Sequence, residues 1–391
     1  MSKINWRIIA SVISLVLIAT LVASCAAPAS PGPAPTRAPA APATTRGPAA
    51  TPSSKGAKST AEQKPTSLIP VKVGHLSITS DAGYYIALEK GYFKEQGLDV
   101  QLDPFKNSVE MIPLLATGKL DVGGGAVNAS LFNAINREIP IKVVADKGSA
   151  FPASGGLKAR NGQILVVRKD LVDSGRFKSS SDFKGMTIAV PQTASAVYIE
   201  LAKELEKGKL KDDDVKIVTM GFPEMVSALT NKAVDAAYMV EPIVTQVLQK
   251  GIATKWRLAS DIYPFHTTGV VLYSPKFMSE QPEAAKKFMV AYLKGVRDFN
   301  EALLKDKNKA QIVQILVKNT NVKDQSLFDQ MSPSGLNNDG YVNVEGMSAD
   351  QEWYVAQGLI RQKQDMKDIV DNQFVDYALK VLGKASWGMM P

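Results

Sequence analysis

Eleven residues of this 391-residue chain have the types and placement to grip a small molecule: Ser77, Asp81, Tyr84, Gly124, Asn128, Phe151, Gln192, Thr193, Ser195, Tyr198 and Glu241. Most lie in loops that follow predicted strands, the place where open α/β sheets bind ligands. Three of these loops, 123–128, 191–195 and 239–242, feed predicted helix starts. Free N–H groups and partial positive charge there suit anionic or carbonyl oxygens. The contiguous Gly123–Gly125 lets backbone approach a ligand, or simply makes a tight strand–helix turn. Thr193 and Ser195 suit ligand contact or helix capping. Glu241 before Pro242 fits either a helix-start acid or an acceptor for ligand N–H groups. Tyr84 and Tyr198 fit a cleft rim or a core.

The same residues argue against catalysis. No HExxH, GxGxxG, Walker or nucleophile–base spacing occurs. One Cys and two His, His75 and His266, make a Cys-rich or His-rich metal site improbable, and neither a cofactor nor a metal is expected. His75 ends a predicted strand and reads as a structural residue. Asp212-Asp213-Asp214 reads as a solvated turn. None of the candidate loops contains Arg. They offer Tyr84, Phe151, Tyr198, Phe222 and Phe265, with Asn128, Gln192 and Glu241. A buried anion needs charge partners or many donors. Aromatic walls with a few directional polar groups instead suit a flat heteroaromatic ligand.

The elements that must position these loops alternate. Predicted strands at 71–76, 98–102, 120–122 and 141–145 are separated by helices at 83–90, 108–117 and 126–136. A second series has strands at 163–167, 186–190, 215–219, 234–239 and 256–259, with helices at 195–206, 223–230 and 242–249. A strand at 269–273 precedes helices at 282–305, 309–318, 348–361 and 373–382. Such alternation predicts an α/β fold with largely parallel sheets in two lobes. Leu115–Asp121 and Leu229–Asp235 echo each other: helix end, turn, then Asp leading a short strand.

The front of the chain reads differently. Lys3 and Arg7 precede an uncharged run of 17 residues, Ile8–Ser24, ending Leu21-Val22-Ala23-Ser24-Cys25. This resembles a bacterial lipoprotein signal, with Cys25 as the lipidated residue. Residues 26–66 contain no Val, Ile, Leu, Met, Phe, Trp or Tyr and nine Pro. Such composition predicts a disordered stalk. Residues 1–66 carry seven basic residues and one acid, most of the chain's net charge of +8. The fold is therefore nearly balanced, and no nucleic-acid partner is expected.

Gly83-Tyr-Tyr-Ile-Ala-Leu-Glu-Lys-Gly-Tyr-Phe93, Gly97–Val100, Leu115–Gly125, Phe183–Val190 and Val234–Pro242 resemble the solute-binding proteins of nitrate, sulfonate, taurine and thiamine-precursor importers. The resemblance runs from about residue 70 to 300. It implies a type II periplasmic-binding-protein fold with two lobes, mixed and largely parallel sheets, and a hinge. It places lobe 1 at 67–158 plus 267–391, lobe 2 at 159–266, and the crossings near 155–162 and 263–268. It implies a protein that takes a small molecule in the cleft and docks on an ABC permease subunit; with the signal ending at Cys25, a lipid-anchored monomer on the extracytoplasmic face is expected. Within this family the aromatic lining points to riboflavin or a thiamine-type pyrimidine, with sulfonate, taurine or nitrate as the alternative. Pyrimidine synthases share the fold but use a Cys-rich motif that is missing here. A receptor domain is the third reading.

Overall fold

The computed structural model describes residues 67–161 and 163–388. The signal run, Cys25 and the Pro-rich stretch lie outside the described residues. Among the described residues no helix is long and apolar enough to cross a membrane.

Ten strands form two five-stranded sheets. The first holds β1 (Ile69–His75), β2 (Leu98–Pro104), β3 (Val122–Ala126) and β4 (Lys142–Ser149). The second holds β5 (Gln163–Arg168), β6 (Thr187–Val190), β7 (Lys216–Thr219), β8 (Ala236–Val240) and β9 (Ala253–Leu258). The last strand, β10 (Thr267–Tyr273), returns to the first sheet. The orders are β2-β1-β3-β10-β4 and β7-β6-β8-β5-β9. Within each sheet the βα series pairs parallel. The strand that follows each crossing inserts antiparallel: β5 between β8 and β9, and β10 between β3 and β4. Helices cover both faces, so a central strand such as β8, Ala-Ala-Tyr-Met-Val, is buried throughout.

The sequence echo has a structural counterpart. Asp121 Oδ2 accepts the Lys72 N–H at 2.8 Å, and Asp235 Oδ2 accepts the Thr187 N–H at 2.9 Å. Each carboxylate ties the strand it leads to the neighbouring parallel strand, once per sheet.

Two expected boundaries need correction. The Gly triplet is not a loop: it is the middle of β3. A Cβ on Gly123, Gly124 or Gly125 would press on Leu115, on Tyr84 and Asp81, or on Leu272, so the glycines let β3 lie deep in the packing. Strand β4 continues four residues past the expected Ala145, and its extension reaches the space between the sheets.

The largest core includes the crossing of helix Ala82–Glu89 over helix Pro282–Lys305. Tyr84 packs on Tyr292 with centroids 5.1 Å apart, and Phe93 stacks on Phe288 at 4.8 Å. Gly83 and Gly295 allow this crossing, because a methyl at 295 would sit on the Gly83 carbonyl oxygen.

The C-terminal tail touches both halves. Helix Val344–Ala356 packs on helix Ala129–Ile135 of the first and helix Ala196–Lys207 of the second. Beside it lies a buried charge cluster. His266, on the return crossing, bonds Glu200 Oε1 through Nδ1 at 2.9 Å and the Asp350 carboxylate through Nε2 at 3.0 Å. Tyr263 stacks on the imidazole at 4.2 Å, and the Tyr238 hydroxyl donates to Glu200 Oε2 at 2.6 Å. Burial opposes the imidazole's charge, but Asp350 and Glu200 outweigh it and raise its pKa from 6.5 to about 9. The imidazolium therefore joins a helix of the second half, the crossing and the tail.

Two outcomes are expected. Gly295→Ala should destabilise by about 1–3 kcal/mol through overpacking in chemical denaturation; an unchanged midpoint would show that the crossing is loose. A raised His pKa stabilises the fold below the unfolded value and loses that contribution as pH rises through the folded value. Stability should thus fall from about pH 6.5 to about 9, and His266→Gln should flatten that slope. The same slope in the variant would assign it to other groups.

Candidate ligand-binding cleft between the sheets

The C-terminal ends of the parallel strands face one another, and the loops between them build the site from both sides. After β1, Ser77 takes a left-handed φ of 57° and leads into the turn Thr79–Asp81. Asp81 fixes this turn. Its Oδ2 accepts Leu76 N–H at 2.9 Å, Ile78 N–H at 3.3 Å and the Tyr85 hydroxyl at 3.3 Å. Its Oδ1 accepts Lys147 Nζ at 2.7 Å, and Lys147 also donates to Ser80 Oγ at 3.1 Å. Lys147 arrives on the extension of β4, and its side chain is 1% exposed. Beside it, Asp146 accepts Ser149 Oγ–H and the Asn337 N–H, yet burial pushes its carboxyl up to about 7.

From the second sheet come Gln163 on β5, Pro191-Gln192 after β6, Phe222 after β7 and Glu241 after β8. The Glu241 carboxylate accepts Thr245 N–H at 3.0 Å, Thr245 Oγ–H at 2.8 Å and Ser332 N–H at 3.1 Å. Burial raises its pKa. Its carbonyl accepts the Thr79 hydroxyl from the opposite sheet at 3.1 Å. Thr79 also meets Ser334 Oγ of the tail at 2.7 Å.

Two helix starts that read as ligand-facing meet each other instead. Asn128 and Ser195 form an antiparallel bridge. Ala129 N–H donates to Ala194 O at 3.0 Å, and Ala196 N–H to Val127 O at 2.9 Å. The side chains cap their own helices: Asn128 Oδ1 accepts Leu131 N–H, and Ser195 Oγ accepts Tyr198 N–H. The Ala129 and Ala196 N–H groups are thus spent on joining the two halves, and those of Leu131 and Tyr198 on the caps.

Three neighbouring spaces remain, which share lining residues. An inner cavity of about 30 Å³ is lined by Thr79, Ser149, Asn161, Glu200 and Ser334. A middle cavity of about 70 Å³ is lined by Ser80, Lys147, Gln163, Gln192, Ser195 and Phe222. The mouth, about 530 Å³, is lined by Ser77, Phe105, Lys106, Pro191, Met220 and Phe222.

Of the candidates, Ser77, Gln192 and Ser195 line these spaces, and Asp81 stands behind Lys147. Others do not reach them. Tyr84 is fully buried in the helix-crossing core. Tyr198 lies in the second half's core, where it donates to Asp212 Oδ2 at 2.6 Å and packs on Trp353 of the tail. Gly124 backs onto Tyr84 and Asp81. Thr193 is exposed and its carbonyl accepts Ser195 N–H. Phe151 belongs to the outward crossing, under the Arg160 guanidinium at 3.9 Å and edge-on to Phe265 at 6.2 Å. His75 is structural, its Nδ1 bonded to the Tyr85 hydroxyl at 2.8 Å. Sequence reasoning missed Phe105, Lys147 and Gln163. The signal for Lys147 was a β4 run prolonged to Ser149, which would have put a cation into the cleft.

Comparison with known proteins completes the assignment. The NMT1/THI5-like family model matches residues 78–302. A Brucella abortus (strain 2308) protein whose name assigns it only a binding role is 30% identical over 322 residues, 77% of this chain and 89% of its own length. The riboflavin-binding protein RibY of Chloroflexus aurantiacus is 25% identical over 375 residues, 92% of this chain and 96% of its own. The ligand-binding component of an ABC-type import system from Staphylococcus aureus superposes with a TM-score of 0.65 at 16% identity, covering 79% of this chain and 99% of that one. That last likeness is one of fold, the two-sheet periplasmic-binding-protein arrangement. Because the matched stretch takes in both crossings, the whole second sheet and most of the first, the chain belongs to the NMT1/THI5-like family.

Proposed function

We propose that this chain is the extracytoplasmic solute-binding component of an ABC importer. It captures a flat heteroaromatic vitamin or precursor, riboflavin or a thiamine-type pyrimidine, between its two sheets and hands it to the permease. The observation that carries this reading is the mouth of the cleft. Its volume, about 530 Å³, falls in the ~300–1,000 Å³ range of small-molecule sites. Phe105, Phe222 and Met220 offer apolar and aromatic surface there, with Asn107 and Ser77 as polar neighbours. The likeness to a riboflavin-binding protein over 92% of the chain supports the ligand class.

In this reading Ser77, Gln192 and Ser195 touch the ligand, together with Phe105, Phe222, Ser80, Lys147 and Gln163. The lobes are 67–158 plus 267–391 and 159–266, and the crossings near 155–162 and 263–268 act as hinge. The inner and middle cavities are far smaller than a vitamin, so the lobes part to admit one. Cys25 carries the lipid, and the monomer works as a binding protein without turnover.

Calorimetric titration with riboflavin, an aminopyrimidine, taurine and nitrate tests the ligand class. Riboflavin or the aminopyrimidine should bind and raise the melting temperature with concentration, and small-angle scattering should show compaction. Phe222→Ala should weaken binding by roughly tenfold. Binding of taurine or nitrate alone would overturn the heteroaromatic reading. Consumption of the bound molecule would overturn the non-catalytic one.

A further inference from the structure

Lys147 borders the middle cavity. Its Nζ donates to Asp81 Oδ1 and Ser80 Oγ. An ammonium has three donors, so one N–H remains for a group in the cavity. Asp81 is held in place by Leu76 N–H, Ile78 N–H and the Tyr85 hydroxyl. Every partner of this pair belongs to the first sheet and its loops. The pair therefore stays assembled when the sheets part.

The inner cavity adds a carboxylate and no cation, and the second lysine of the middle cavity, Lys106, is exposed and stands on its mouth side. Glu200 lines the inner cavity and shares His266 with Asp350, two acids on one imidazolium. Glu241 lies against Thr79, and no ion pair to its carboxylate is formed among the described residues. An anionic group brought to Lys147 would lose its water, meet a cation already matched by Asp81, and lie close to that carboxylate. A hydroxyl or ring carbonyl would accept the remaining N–H without that cost.

We propose that the Lys147–Asp81 pair makes the cleft select ligands whose inner end is uncharged, a hydroxylated chain or ring carbonyl, over carboxylates, sulfonates and phosphates. This rests on the cleft being the ligand site.

Matched probes test it by calorimetry: riboflavin against riboflavin 5′-phosphate, 4-amino-5-hydroxymethyl-2-methylpyrimidine against its phosphate, and methanesulfonate and nitrate alone. The neutral member of a pair should bind at least about tenfold more tightly. Lys147→Met should weaken the neutral member by about tenfold. Asp81→Asn should unmask the cation and narrow the gap for the phosphate ester. Should Asp81→Asn fail to fold by circular dichroism, the wild-type ratio and Lys147→Met decide. Equal or tighter binding of a phosphate ester overturns the inference while leaving the heteroaromatic reading intact. Binding of methanesulfonate or nitrate in preference overturns both, as does binding of none of the six.

Discussion

The chain passes between its two sheets twice, and each passage delivers a strand into the interior of the sheet it enters. Strand β5 is enclosed by β8 and β9, and β10 by β3 and β4. An interior strand loses ladder hydrogen bonds on both sides if it leaves, so each crossing strand is fixed in the sheet it enters. The same insertion turns the C-terminal ends of both parallel series toward one shared space. The cleft is a consequence of that topological constraint.

The tail and the charge clusters refine that arrangement. Ser334 and Ser332 reach Thr79 and Glu241, and Asp350 reaches His266. Contacts from one C-terminal segment thus fall on both halves. The buried groups fall into two kinds. The His266 cluster and the Asn128–Ser195 bridge join one half to the other. The Lys147–Asp81 pair lies within one half and borders the cleft.

Much of this was legible in the sequence. Alternation of apolar runs with helical periods located nearly every strand to within a few residues. The Asp121 and Asp235 echo marked equivalent turns because each carboxylate answers the same N–H in its own sheet. The candidate site was less legible, for three physical reasons. Three contiguous glycines read as a loop, but here they remove side chains so that β3 can pack against Tyr84, Leu115 and Leu272. Helix-start residues read as ligand-facing, but Asn128 and Ser195 found each other across the cleft. Lys147 stood beyond the expected end of β4, and its burial depends on an Asp 66 residues earlier, a pairing no local pattern announces. Tyr84 and Tyr198 had the right chemistry on the wrong face.

Hydrogen–deuterium exchange with and without riboflavin tests the central claim, that the space between the sheets is the binding site, most directly. The account predicts protection concentrated in the loops at 76–81, 104–108, 147–149 and 219–224, on both halves together. Protection confined to one half, or to the basic groove formed by Lys178, Lys207, Lys209 and Arg257, would contradict it.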